Sequence, residues 1–80
     1  MLTGQQIRMA RSALKWSARE LAERTGLAMK TIQRIEATDS TPASYSSTLT
    51  DLNTCFESAG IEFIGTPDDA PGVRIHTQKD

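Results

Sequence analysis

Lys30, Gln33 and Arg34 stand at i, i+3 and i+4 in "LAMKTIQRIE", a spacing that gathers them on one side of a helix. All three end in hydrogen-bond donors, and the glutamine amide also accepts. At about 100° per residue, Ala28, Ile32 and Ile35 fall on the opposite side, and Met29 and Thr31 flank the donors. The apolar side predicts burial. The donor side is either a solvated surface or one that meets a partner rich in acceptors. Other chemistry is poorly supplied. Cys55 is the single cysteine, which excludes an internal disulfide framework and a cysteine-based zinc site. It lies beside Leu52 and Phe56 and reads as a small core or boundary residue, with no cationic neighbour evident to activate it. His76 is the only histidine and sits near an end expected to fray. No nucleophile has a plausible base, and there is no Gly-rich phosphate loop and no metal constellation. No catalytic residue, metal, cofactor or small-molecule ligand is therefore expected, and the chain does not read as an enzyme.

The charge is unevenly placed. The formal net charge is −1 over 80 residues. Residues 1–37 carry seven Lys/Arg against three Glu, a net +4; residues 38–80 carry two against seven acids, a net −5. One end of the molecule is expected to seek anions. Eighty residues make one small domain with a modest core. No apolar run approaches the roughly 18–20 residues of a membrane span, and "MLTGQQIRMARS" lacks the order of a secretory signal. A reducing cytoplasm is the expected compartment.

The elements that position the donor face follow from caps and periodicity. Thr3 followed by Gln6 is a capping-box pattern, opening a helix that runs to about Lys15, with Ile7, Ala10 and Leu14 inward and Met9 and Ala13 flanking. Ser17 followed by Glu20 is a second capping box, starting a helix to about Arg24 that turns Leu21 and Ala22 inward. Thr25-Gly26 ends it. Met29 to about Ala37 is the third helix. A polar loop, residues 38–45, leads to a fourth helix capped by Ser46 or Ser47, with Tyr45 packing at its head. Its core stripe is Leu49, Leu52, Phe56 and Ala59, and Gly60 stops it. The period then changes to two. "IEFI" and "VRIHT" read as strands joined by the loop "GTPDDAPG", a hairpin longer than the tight type, before a frayed "TQKD". The fold class is mainly α: residues 1–60 form four helices, and residues 61–80 a β-hairpin extension of the same domain.

The stretch "WSARELAERTGLAMKTIQRIE" resembles the helix-turn-helix of the Cro and lambda-repressor (XRE) family. Trp16-Ser17, Glu20-Leu21-Ala22, Gly26, Thr31-Ile32 and Ile35-Glu36 carry the likeness, which with the first helix covers about residues 3–37. The resemblance implies a four-helix lambda-repressor-like domain whose third helix enters the major groove of double-stranded DNA. It assigns base and backbone contacts to Met29, Lys30, Thr31, Gln33 and Arg34. Arg and Lys suit guanine O6 and N7, and Gln suits adenine. It also implies that Arg11 and Glu36 pair to orient the third helix against the first, and that Trp16 packs between the first two helices.

Three departures matter. Ala18 stands where the family often has a DNA-contacting Gln, leaving Arg19 as the candidate phosphate contact. Ala28 replaces the usual Ser or Thr cap, so Thr25 or water must serve the amides there. The loop "ATDSTP" lacks basic residues and places Asp39 near the DNA, so weak binding by one monomer is expected. The hairpin is marginal alone, and a homodimer through Ile61, Phe63, Val73 and Ile75 is expected to set two reading helices about 34 Å apart. The expected function is a sequence-specific regulator of transcription, a dimeric repressor. The alternative is an antitoxin-like component that also binds its own operator and turns its acidic half to a protein partner.

Overall fold

The computed structural model describes residues 2–39, 42 and 46–76. Thr3 starts the first helix. Its Oγ1 accepts the Gln6 N–H at 3.0 Å, and Gln6 Oε1 accepts the Thr3 N–H at 2.9 Å, so the capping box is complete. Helix α1 spans Gly4–Ala13 and ends earlier than the expected Lys15. The Trp16 N–H reaches Arg11 O at 3.0 Å and the Lys15 N–H reaches Ser12 O at 3.1 Å. These are the two bonds of a Schellman stop, and they put Lys15 in the left-handed region at φ 59.

Helix α2 spans Ala18–Thr25 and α3 spans Met29–Glu36. Only half of the second capping box forms. Ser17 Oγ accepts the Glu20 N–H at 3.0 Å, but the Glu20 carboxylate turns to Arg24, 2.9 Å from its Nη2. Gly26, at φ 77, ends α2 with its N–H on Ala22 O. Ala28 is not in the core; it is the exposed N-cap of α3, and Leu27 packs against the core instead.

Helix α4 spans Ser46–Ser58. Ser46 and Ser47 both lie inside it rather than capping it, so the cap and the expected packing of Tyr45 fall outside the described residues, as does most of the 38–45 loop. Leu52 and Phe56 are fully buried, with Leu49 and Ala59 partly so. Two antiparallel strands follow, β1 (Ile61–Thr66) and β2 (Asp69–Ile75). The expected long loop is not there. Thr66 pairs with Asp69, leaving only Pro67 and Asp68 to make the turn. A bulge between Ile64 and Thr66 lets the ladder continue, with Gly65 at φ 77 and Ala70 at φ 52. A Cβ on Gly65 would come within 2.1 Å of Ala70 O. Pro71 falls at this irregular stretch, where its missing N–H costs no ladder bond.

Ile7, Ala10, Leu21, Ile32, Ile35, Leu52, Phe56 and Ile61 form one core fed by every helix and the first strand. Gln6 is buried within it and spends its amide on the hairpin. Nε2 donates to Ile64 O at 3.0 Å and to Gly72 O at 2.9 Å, one carbonyl from each strand. A buried amide is tolerated when its donors are used in this way. The hairpin thus packs on its own helices, with Phe63 edge-to-face on Phe56 at 5.7 Å. Among the described residues no helix is long and apolar enough to cross a membrane.

Gly4 marks where α1 meets the end of α3. A Cβ there would lie 2.0 Å from Thr38 O and 2.3 Å from Ile35 O. Gly→Ala in a helix ordinarily stabilises by about 0.5–1 kcal/mol. Here Gly4→Ala is expected to destabilise by about 1–3 kcal/mol through overpacking. Urea unfolding reads the sign, and a stabilised variant would refute this close approach.

Candidate nucleic-acid interface

The donor face is built as an outward side of α3. Ile32 and Ile35 are each 1% exposed, whereas Lys30, Gln33 and Arg34 are exposed and Met29 is 38% exposed. Thr31 is half-buried at the margin. Burial of the two isoleucines, at about 1.5–3 kcal/mol each, fixes the rotation of α3 about its axis. That rotation leaves the Lys30, Gln33 and Arg34 side away from the core.

The tilt of α3 is set at its C-terminus. Arg11 donates from Nε to Glu36 Oε2 and from Nη2 to Glu36 Oε1, both at 2.8 Å, a two-point guanidinium–carboxylate pair. Arg11 Nη1 also reaches Trp16 O at 3.2 Å, which ties the pair to the α1–α2 corner. The Glu36 bond holds the Arg11 guanidinium above its usual range, burial opposing it. Glu36 is 9% exposed. Arg8, one turn before Arg11, donates to the Glu36 carbonyl and to the Asp39 carboxylate. Asp39 is thereby paired within the chain instead of standing as an isolated negative charge. Arg8 was not singled out from the sequence. Its three-residue spacing from Arg11 was the available signal, since both must lie on the α1 face that meets α3.

The α2–α3 turn is tied by Thr25. Its Oγ1 donates to Leu21 O at 2.8 Å and accepts the Leu27 N–H at 3.3 Å. Thr25 therefore serves the turn and not the first amides of α3, which have no side-chain cap. Arg19 is 83% exposed at the start of α2, with Glu23 4.0 Å away. Ala18 packs its methyl against the core.

Trp16 does not pack simply between α1 and α2. It reaches across to α4, stacked on Phe56 at 5.8 Å and 20°, with the Arg24 guanidinium over its ring at 4.2 Å. Arg24 is thus engaged by an aromatic ring and by Glu20. It also comes near enough to Cys55 to act on the thiol, a cationic neighbour the sequence did not reveal. Burial prevails and pushes the thiol pKa up, against the pull of Arg24. His76, expected to be near a frayed end, closes the hairpin. Its N–H donates to Gly60 O at 2.7 Å and its Nε2 meets Glu62 Oε1 at 2.8 Å. His76, then Arg74, hold the Glu62 carboxyl below its ordinary range. Among the described residues no group of His, Cys, Asp or Glu could hold a metal ion.

The four residues expected at a dimer contact do not share one accessible face. Ile61 is 1% exposed and, at the start of β1, belongs to the chain's own core. Phe63 and Val73 are half-buried against that core, and Ile75 alone is open, at 59%. Comparison with protein-family models and with curated proteins finds no match.

The Arg11–Glu36 pair is expected to be cooperative. Removing Arg11 leaves a nearly buried carboxylate without its cation, at a cost of about 2–4 kcal/mol. A double-mutant cycle of Arg11→Ala and Glu36→Ala in thermal unfolding should give a coupling of about 1–3 kcal/mol. Zero coupling would remove the pair from the account of how α3 is held.

Proposed function

We propose that the chain is a helix-turn-helix regulator of the Cro and lambda-repressor type. In this reading it binds double-stranded DNA sequence-specifically, with α3 as the reading helix, and acts in the cytoplasm as a dimeric repressor. The observation that carries the reading is the outward side of α3. Lys30, Gln33 and Arg34 stand exposed on a short helix whose other side is locked by Ile32 and Ile35 and whose end is gripped by Arg8 and Arg11. A helix presented in this way suits insertion into a groove about 12 Å wide. Lys30 and Arg34 can donate to guanine, Gln33 to adenine, and Met29 can meet a thymine methyl. Thr31, at the margin, and Arg19 would face the phosphates.

The ion pairs limit how strongly one protomer binds. Arg8, Arg11 and Arg24 are committed inside the molecule. Of the exposed cations on the α1–α3 side, Arg24 is held by Glu20 and Trp16, and the others are Lys15, Arg19, Lys30 and Arg34. Each phosphate neutralised contributes about −0.9 to the salt slope, so one protomer should not exceed about −3.6. Such weak single-site binding favours two protomers on adjacent half-sites. With Ile61 in the protomer core, Ile75 and the outer edge of β2 are the remaining hairpin surfaces for that contact.

Selection from a randomised duplex library tests the proposal. The expected result is a two-fold symmetric site with half-sites about 10 base pairs apart. A Lys30→Ala, Arg34→Ala variant should lose or change it, and Arg19→Ala should weaken binding without changing the sequence recovered. No enrichment at low salt, or the same site from the Lys30, Arg34 variant, would refute α3 as the reading helix.

A further inference from the structure

Helix α4 and strand β1 leave a groove of about 600 Å³ between them. Leu2, Leu49 and Phe63 supply its apolar lining; Asn53, Glu57 and Glu62 supply polar groups. No residue of α2 or α3 lines it. From Ser46 to Glu57 the α4 side runs about 16 Å at ~1.5 Å per residue. That accommodates about five residues of extended chain at ~3.3 Å each.

Among the described residues β1 pairs only with β2, which leaves its other edge open. The His76 N–H to Gly60 O bond makes that pair a hydrogen-bonded one, and the register Ile61↔Ile75, Glu62↔Arg74, Phe63↔Val73 follows from it. Hydrogen-bonded and non-bonded pairs alternate in an antiparallel ladder. Phe63 therefore lies at a non-bonded position, with its N–H and C=O directed away from β2. Phe63 also lines the groove, so, among the described residues, an unpaired donor and acceptor border a trough of mixed apolar and polar lining. A helix beside an open strand edge is a geometry that takes an extended peptide as an added strand.

We propose that this groove binds an extended, cationic segment of a partner protein, which pairs with β1 at Phe63 and adds a third strand to the hairpin. The charge chooses the occupant. Residues 35–73 contain no Lys or Arg. Glu57 is exposed and its partner is the neutral amide of Asn53, at 2.8 Å, whereas Glu62 is already shared with Arg74 and His76. A Lys or Arg on the incoming strand meets Glu57. A second copy fits less well. Two β1 edges meeting across a two-fold would bring both sets of Glu57 and Glu62 to one seam, and like charges facing each other there are destabilising. The inference stands apart from DNA reading, because the groove and the α3 face share no residue.

The probe is an octapeptide alternating valine and lysine, titrated into the 80-residue chain and followed by amide NMR. Its counterpart alternating valine and glutamate is the control. The lysine peptide should produce saturable shifts at Leu49, Asn53, Phe63 and Gly65. It should slow hydrogen exchange at the Phe63 amide by about fivefold or more. Glu57→Gln, an exposed change that keeps an acceptor for Asn53, should weaken it roughly two- to fivefold. Three results would each overturn the proposal: no saturable shift at Phe63 and Leu49, an equal response to the glutamate peptide, or dilution-dependent shifts at Phe63 without peptide, which would make a second copy the occupant.

Discussion

Glu36 is the point on which the geometry of α3 depends. Its carboxylate is held at two points by Arg11, and its carbonyl by Arg8. Both arginines come from α1, so one helix fixes the end of another through charge-assisted bonds. Ile32 and Ile35 then fix the roll of α3, and Gly4 permits α1 to lie against its last carbonyls. With roll and tilt both determined by buried groups, the outer side chains of α3 are presented on a rigid support. A surface that selects a partner by geometry needs this, because groups held loosely lose geometric selectivity.

Under the proposed DNA-binding function, the same contacts decide which cations of a chain of net charge −1 can meet phosphates. The basic half divides into two sets. Arg8, Arg11 and Arg24 stabilise the fold, paired with Asp39, Glu36 and Glu20. Lys15, Arg19, Lys30 and Arg34 are exposed side chains, Arg19 with Glu23 4.0 Å away. Counting cations along the chain therefore overstates what is available to phosphates. Apart from Asp39, which pairs with Arg8, the described acids of the second half lie on α4 and the hairpin, and the hairpin is tied to α1 by the two carbonyl bonds of Gln6 and packed on α4 through Phe63 and Phe56. A polar side chain thus joins the helical part to the strands, where a purely apolar contact would define register less sharply.

What was legible in the sequence had local causes. The Thr3/Gln6 box, the Gly26 stop, the isoleucine spacing of α3 and the change of period after Gly60 each depend on residues a few positions apart. The four helices, the hairpin and the exposure of Lys30, Gln33 and Arg34 follow from them. The failures came from competing partners, some a turn away and some distant in the chain. Glu20 left the capping box because Arg24 competed for it. Trp16 turned to α4, where Phe56 stacks on it, while Arg24 of α2 sits over its ring. Ile61 looked like any alternating strand residue, and only the packing of β1 on α4 shows that it is spent within the chain. The tight turn at Pro67-Asp68 was hidden by two prolines and the extra residue of a bulge. Gln6 carries no sequence signal for its bonds to Ile64 and Gly72, which lie 58 and 66 residues away.

The central claim is that Arg34 and Gln33 meet DNA while Arg8 and Arg11 only hold α3 in place. Arginine side-chain Nε–H signals and glutamine amides can be followed individually by NMR during titration with duplex DNA. The account predicts large shifts for Arg34 and for the Gln33 amide, with Arg8, Arg11 and the Gln6 amide unmoved. Shifts concentrated on Arg8 or Arg11, or a complex that forms without perturbing Arg34 and Gln33, would contradict it.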